Sequence, residues 1–143
     1  MTKKILARSF PILLLAIILS SFAAAQDYAT IYVYRIKQVG STGVDFKIYL
    51  NKLEIAQIAN GGRLEYRIYK EGRSNVMVGI FSEYGMSSDN YDNSFALDIK
   101  KGGSYYLRGR GKKIEKVPDE IGKQEFDNNS NFKGEINFID DKP

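Results

Sequence analysis

Residues 44–69 read "VDFKIYLNKLEIAQIANGGRLEYRIY", and this stretch decides the fold because its apolar residues recur at every second position. Val44, Phe46, Ile48 and Leu50 alternate with Asp45, Lys47 and Tyr49; Leu64, Tyr66 and Ile68 alternate with Glu65 and Arg67. Alternation of this kind sends successive side chains to opposite faces of a strand, whereas a helix would repeat about every 3.6 residues. Asn51-Lys52 then turns one strand into the next as a hairpin, and Asn60-Gly61-Gly62 supplies residues tolerant of positive φ for the following turn.

The same period extends outward. In "ATIYVYRI" (29–36) Ile31 and Val33 face one way and Tyr32 and Tyr34 the other; "VMVGIF" (76–81) offers Val76, Val78 and Ile80, and "SFALDI" (94–99) offers Phe95, Leu97 and Ile99. "SYYLR" (104–108) places Tyr105 and Leu107 opposite Tyr106 and Arg108. Between residues 82 and 94 the alternation stops in a polar, turn-rich loop, "SEYGMSSDNYDNS". Seven β-segments at short spacing, with no amphipathic helix before Val117, predict an all-β domain, an antiparallel sandwich or barrel of about seven to eight strands. After Pro118, "PDEIGKQEF" predicts a short helix that Gly122 weakens, "DNNSN" a break, and "GEINFI" a last strand closing an edge. The chain therefore divides into residues 1–25, a β-sandwich domain over 26–116, and a C-terminal extension over 117–143.

Residues 1–25 read as a signal peptide. Lys3, Lys4 and Arg8 precede an apolar run, and Ala23-Ala24-Ala25 supplies small residues for cleavage after Ala25. The run from Phe10 to Ala25, 25 − 10 + 1 = 16 residues, would span about 24 Å as a helix against roughly 30 Å of hydrocarbon. Cleavage thus fits better than a retained anchor, leaving no stable membrane span. The chain carries no cysteine, so it has neither disulfides nor a lipid-modifiable residue at the cleavage site; the expected product is exported, periplasmic or extracellular, and not lipid-anchored.

Cleavage also removes three of the 21 basic residues and none of the 17 acidic ones, which leaves 18 − 17 = +1. A mature chain so near neutrality gives no electrostatic reason to expect nucleic acid or anionic lipid as partner. Charge is unevenly spread, however: residues 100–116 hold seven basic residues and one acidic, and residues 117–143 hold seven acidic and three basic. Attraction between these two segments is the expected consequence.

At "YVYR" (32–35) and "GGSYYLR" (102–108) the chain resembles a family of short bacterial exported domains, the domain-of-unknown-function family 2846. The likeness runs over residues 29–108 and includes the hairpin "FKIYLNKLEIAQIANGG". In two places the chain departs from the family pattern: "KEGRS" stands where a Pro-Gly turn is usual, and the lipidation cysteine of many members is missing. The resemblance implies a sandwich of transthyretin-like or carboxypeptidase-regulatory-like character and implies no activity.

With no histidine and no cysteine, the commonest general base, thiol nucleophiles and the usual zinc ligands are lacking. No carboxylate pair is singled out by spacing, so neither an enzyme nor a cofactor is expected. Asp89 and Asp92, with Asn90 and Asn93, are oxygen ligands of the kind calcium takes, but their spacing is not that of an EF-hand; turn chemistry accounts for them, and a calcium- or carbohydrate-binding loop over 82–94 is the alternative function. Ten tyrosines and no tryptophan remain to be explained. Tyr32, Tyr34 and Tyr106, with Arg35 and Arg108 as hydrogen-bonding anchors, form the candidate binding residues: an aromatic sheet face for an envelope protein or glycan. The function expected from the sequence is that of a secreted, non-catalytic binding or structural module of the cell envelope.

Overall fold

The computed structural model describes residues 26–39, 44–82, 94–111 and 113–143. The expected signal peptide, and Asp89, Tyr91 and Asp92 of the polar loop, lie outside the described residues.

Among the described residues, nine strands form two sheets. The first five are β1 (Ala29–Arg35), β2 (Val44–Leu50), β3 (Leu53–Ile58), β4 (Arg63–Ile68) and β5 (Gly72–Ser82). They are followed by β6 (Ser94–Ile99), β7 (Ser104–Arg110), β8 (Lys113–Val117), a helix α1 (Asp119–Asp127), a short 3-10 turn (Asn129–Asn131) and β9 (Ile136–Asp140). One sheet runs β8-β7-β1-β4-β9 and the other β3-β2-β5-β6. Between them lies the core predicted by the alternation: Ile31, Val33, Leu64, Ile68 and Leu107 from the first sheet meet Phe46, Ile48, Val76, Val78, Leu97 and Ile99 from the second. The fold is thus the expected all-β sandwich.

Local chemistry sets the turns. Asn51 and Lys52 sit at φ 51° and 72°, the left-handed pair that a two-residue hairpin requires between Leu50 and Leu53. The Asn51 side chain fastens this turn to β5 by accepting a 2.8 Å hydrogen bond from the Asn75 backbone. A register shift after Ile48 then lets Ala56 and Ile58 face inward, opposite Ile48 and Phe46.

Strand direction corrects one expectation. The four-stranded sheet is antiparallel throughout, but β1 pairs parallel with β7 and β4 pairs parallel with β9. For β1 and β7 the cause is the crossing from one sheet to the other after β6. The turn at Gly102-Gly103 bonds to the start of β1, with the Gly102 N–H donating to the Tyr28 carbonyl and Thr30 N–H donating to the Gly103 carbonyl. β7 therefore enters beside β1 at the same end and runs the same way. Alternation assigns faces to side chains and says nothing about which strand lies alongside, or in which sense.

Candidate functional site

The outer face of the five-stranded sheet carries the candidate residues in rows fixed by register. One row is Tyr106, Tyr32, Glu65 and Phe138 on β7, β1, β4 and β9; the next is Arg108, Tyr34, Arg63 and Ile136. Helix α1 lies across the β7 and β1 end of these rows. Its buried residues Gly122 and Phe126 are one turn apart and face the sheet. Gly122 is required for that approach, since a methyl group there would fall on Cβ and Cγ of Tyr106.

Beneath the helix is a second, aromatic core of Tyr34, Tyr106, Val117, Phe126 and Phe132. Tyr32 stacks on Tyr106 at 4.6 Å between centroids and 9° between planes. Phe126 meets Tyr32 and Tyr34 edge-on at 5.0 and 5.9 Å, and Phe132 closes on Tyr34 at 6.0 Å. These are the offset and edge arrangements that ring quadrupoles favour.

Polar groups lock the helix down. The Tyr34 hydroxyl donates a 2.6 Å hydrogen bond to Glu125 Oε2, and Arg108 donates to Glu125 Oε1 at 2.7 Å while holding Glu115 at 2.9 Å. Arg108 and Glu125 come from the basic and acidic segments that the charge pattern set against each other. At the same C-terminal turn of the helix, Arg63 donates to the Phe126 carbonyl at 2.9 Å and to Asn129 Oδ1 at 3.1 Å. A cation placed on the last carbonyls satisfies groups the helix cannot pair by itself. Burial raises the Tyr34 hydroxyl pKa, with Glu125 adding to the effect, and burial pushes Tyr106 up to about 12. Both phenols are held neutral at physiological pH. Tyr34 acts as a donor, and neither is poised as a base or nucleophile.

The expectation of an open tyrosine platform is therefore corrected. Tyr34 and Tyr106 are buried, Tyr32 is half-buried, and Arg108 is engaged by two carboxylates. Arg35 is not on this face at all. It has the parity of Ile31 and Val33, and its guanidinium lies inside the sandwich, 3.9 Å from the Phe46 ring centroid, with Nη1 donating to the Ile58 carbonyl. Burial lowers its pKa, partly offset by Asp45. The missing side chain of Gly109 makes room for it, since a Cβ there would lie 2.7 Å from both Arg35 Cγ and the Phe46 ring.

What stays open is the other end of the same face, at β4 and β9. Here Arg67 lies between two rings, 4.7 Å from the Tyr28 centroid and 4.5 Å from that of Phe138, with Glu65 at 3.6 Å and Asp140 at 3.9 Å. Tyr69 tilts against Tyr28 at 5.5 Å. The Arg67 Nε is buried without a hydrogen-bond partner. Phe138 is 51% exposed and Ile136 40% exposed, adjacent on the outer face of one strand. The alternation in "RLEYRIY" already placed Arg67 with Glu65 on the face opposite Leu64, Tyr66 and Ile68, and "GEINFI" contained the apolar pair. The missing information was that these two segments lie side by side.

No family model matches the chain, and no curated protein matches it. Among solved structures it is similar to the N-terminal domain of AlgF from P. aeruginosa, at 14% identity and a TM-score of 0.44, over 66% of this chain and 99% of that one.

Proposed function

We propose that this chain is an exported, non-catalytic protein-binding module of the bacterial cell envelope. Its contact surface is the β4 and β9 end of the outer sheet face. The observation that carries this reading is the division of that face. Helix α1 closes the β7 and β1 end with ion pairs and ring packing, while Ile136 and Phe138 stay exposed at the other. Exposed apolar residues rimmed by charge are the usual mark of a protein contact.

The ring geometry favours a protein over a glycan. Sugar stacking needs open ring faces, and here Arg67 occupies the faces that Tyr28 and Phe138 turn toward one another, while Tyr32 is stacked on Tyr106. The polar cluster of Tyr34, Arg108, Glu115 and Glu125 is closed on itself beneath the helix, which supports a structural part for it and a non-catalytic role for the domain.

The test is photo-crosslinking in intact cells from a benzophenone amino acid placed at Phe138 in one version of the full chain and at the exposed Gln124 of α1 in another. A discrete protein adduct from position 138 and none from 124 is expected. Capture from neither position, or equal capture from both, would remove the proposed surface, and a carbohydrate adduct at 138 would transfer it to a glycan.

A further inference from the structure

We infer that the free edge of β9 accepts an extended segment of a partner protein as an added strand, apolar along one face and basic at its ends. This rests on the protein-binding reading above and names how that surface would be used. Among the described residues β9 has a single neighbour, β4. The Asp141 N–H donates to the Arg67 carbonyl. Main-chain groups alternate sides along a strand, so those of Ile136, Phe138 and Asp140 point away from the sheet, toward the open edge. The same three residues carry their side chains on the outer face, beside Arg63, Glu65 and Arg67.

Sheet edges are normally protected by charge, proline or bulges. At the opposite edge of this sheet, β8 follows that rule with Lys113, Glu115 and Lys116. β9 does not: its centre is Ile136-Asn137-Phe138-Ile139, rich in β-forming residues and free of lysine, proline and register shifts. An unprotected edge with two exposed apolar side chains is what strand addition uses, the main chain supplying affinity and alternate side chains specificity.

Charge indicates the occupant. Glu135 precedes the strand, and Asp140 and Asp141 end it; Asp27 lies close enough to act with Asp140 on the Tyr69 hydroxyl. The nearby cations are Arg63, buried and turned onto the Phe126 carbonyl and Asn129, Arg67, already placed between Glu65 and Asp140, and Lys133 and Lys142 in the flanking chain. The acidic surplus suits lysine or arginine at the ends of the incoming segment. A second copy fits less well: antiparallel self-pairing centred on Phe138 would set Glu135 opposite Asp141 of that copy.

The experiment is an amide NMR titration of the mature chain with a synthetic peptide of alternating valine and threonine that carries paired lysines at both ends. A second peptide with paired glutamates is titrated alongside it. The lysine peptide should perturb the amides of Ile136, Phe138 and Asp140 and bind about tenfold or more tightly than the glutamate peptide. Ile136→Pro removes an outward N–H at the first position of the strand, where proline is tolerated, and should weaken the lysine peptide by about tenfold. The exposed Glu135→Lys, which touches no core residue, should narrow or reverse the preference between peptides. Equal binding of both peptides, no binding of either at millimolar concentration, or binding indifferent to both substitutions would overturn the inference. Dimerisation through β9 would overturn it in favour of a second copy. Protein capture from position 138 that persists unchanged with Ile136→Pro would overturn strand addition alone and leave the protein-binding reading intact.

Discussion

Tyr34 on the first strand and Glu125 on the helix stand 91 residues apart in sequence and are joined by a 2.6 Å hydrogen bond under the aromatic lid. Arg108 holds the other carboxylate oxygen at 2.7 Å, so Glu125 would keep one partner if the phenol were removed. Tyr34→Phe is therefore expected to cost about 1.5–2 kcal/mol, the lower part of the range for a hydrogen bond to a charged group. Urea unfolding should show a lowered midpoint with an unchanged slope. A double-mutant cycle with Glu125→Ala should return a coupling of about 1 kcal/mol; a coupling near zero would mean the bond does not hold the helix.

Gly122→Ala sets two effects against each other. Alanine improves helix propensity by about 1 kcal/mol, but the added methyl would fall on Tyr106, and overpacking of a filled site costs about 1–3 kcal/mol. Here the obstacle is the root of a buried ring, attached to a central strand that cannot swing away. The clash should win, with a net loss of stability and a weaker near-ultraviolet tyrosine signal as the helix lifts. A stabilised Gly122→Ala protein would contradict this packing.

Alkali should open the protein through its buried tyrosines. Burial raises the hydroxyl pKa of Tyr34, Tyr66 and Tyr106, with Tyr106 moving from 10.0 to about 12. A phenol whose folded pKa lies above its unfolded value contributes stability that is whole below the unfolded value and lost as pH rises through the folded one. Stability should thus hold to about pH 10 and decline toward pH 12. Phenolate absorbance would then rise in two stages, the later one coincident with loss of circular dichroism. A single reversible titration near pH 10 with the fold intact would show that these rings are accessible.

How far the sequence could be read differs from one part of the molecule to another. Where one residue's position follows from its neighbour's, the alternation was enough: Phe46, Ile48, Leu64, Val76, Val78 and Leu107 lie in the core as their parity requires, and the Asn51-Lys52 turn is where its chemistry puts it. Arg35 shows the limit of residue type as a guide, because arginine suggests an outer face while its parity with Val33 sends it inward onto Phe46. The tyrosine face was legible as a face, but its covering was not. Nothing local in "SYYLR" tells that Phe126 and Phe132 return to cover Tyr106 and Tyr34; only the opposed charges of the two segments hinted at it, and Arg108 with Glu125 realises that hint. The open end at Arg67 joins residues from β4, β9 and the chain before β1, a juxtaposition set by a parallel pairing that period-two patterns do not encode.

Magnitudes also decide what holds that open end together. The carboxylates are 3.6 and 3.9 Å from Arg67 and partly exposed, where ion pairs contribute about 0–1 kcal/mol, so Glu65→Gln and Asp140→Asn should each cost less than about 0.5 kcal/mol. The two rings face the guanidinium at 4.5 and 4.7 Å, and contacts of this kind are worth about 0.5–1 kcal/mol apiece at exposed sites, with apolar area added by Phe138. Phe138→Ala should therefore cost about 1 kcal/mol or more and free β9 to separate from β4. Hydrogen exchange at Ile139, whose N–H points into the β4 pairing, should accelerate in Phe138→Ala and hardly change in Asp140→Asn. If the charge substitution loosened β9 more than the ring truncation did, the acids rather than the rings would be fastening the strand.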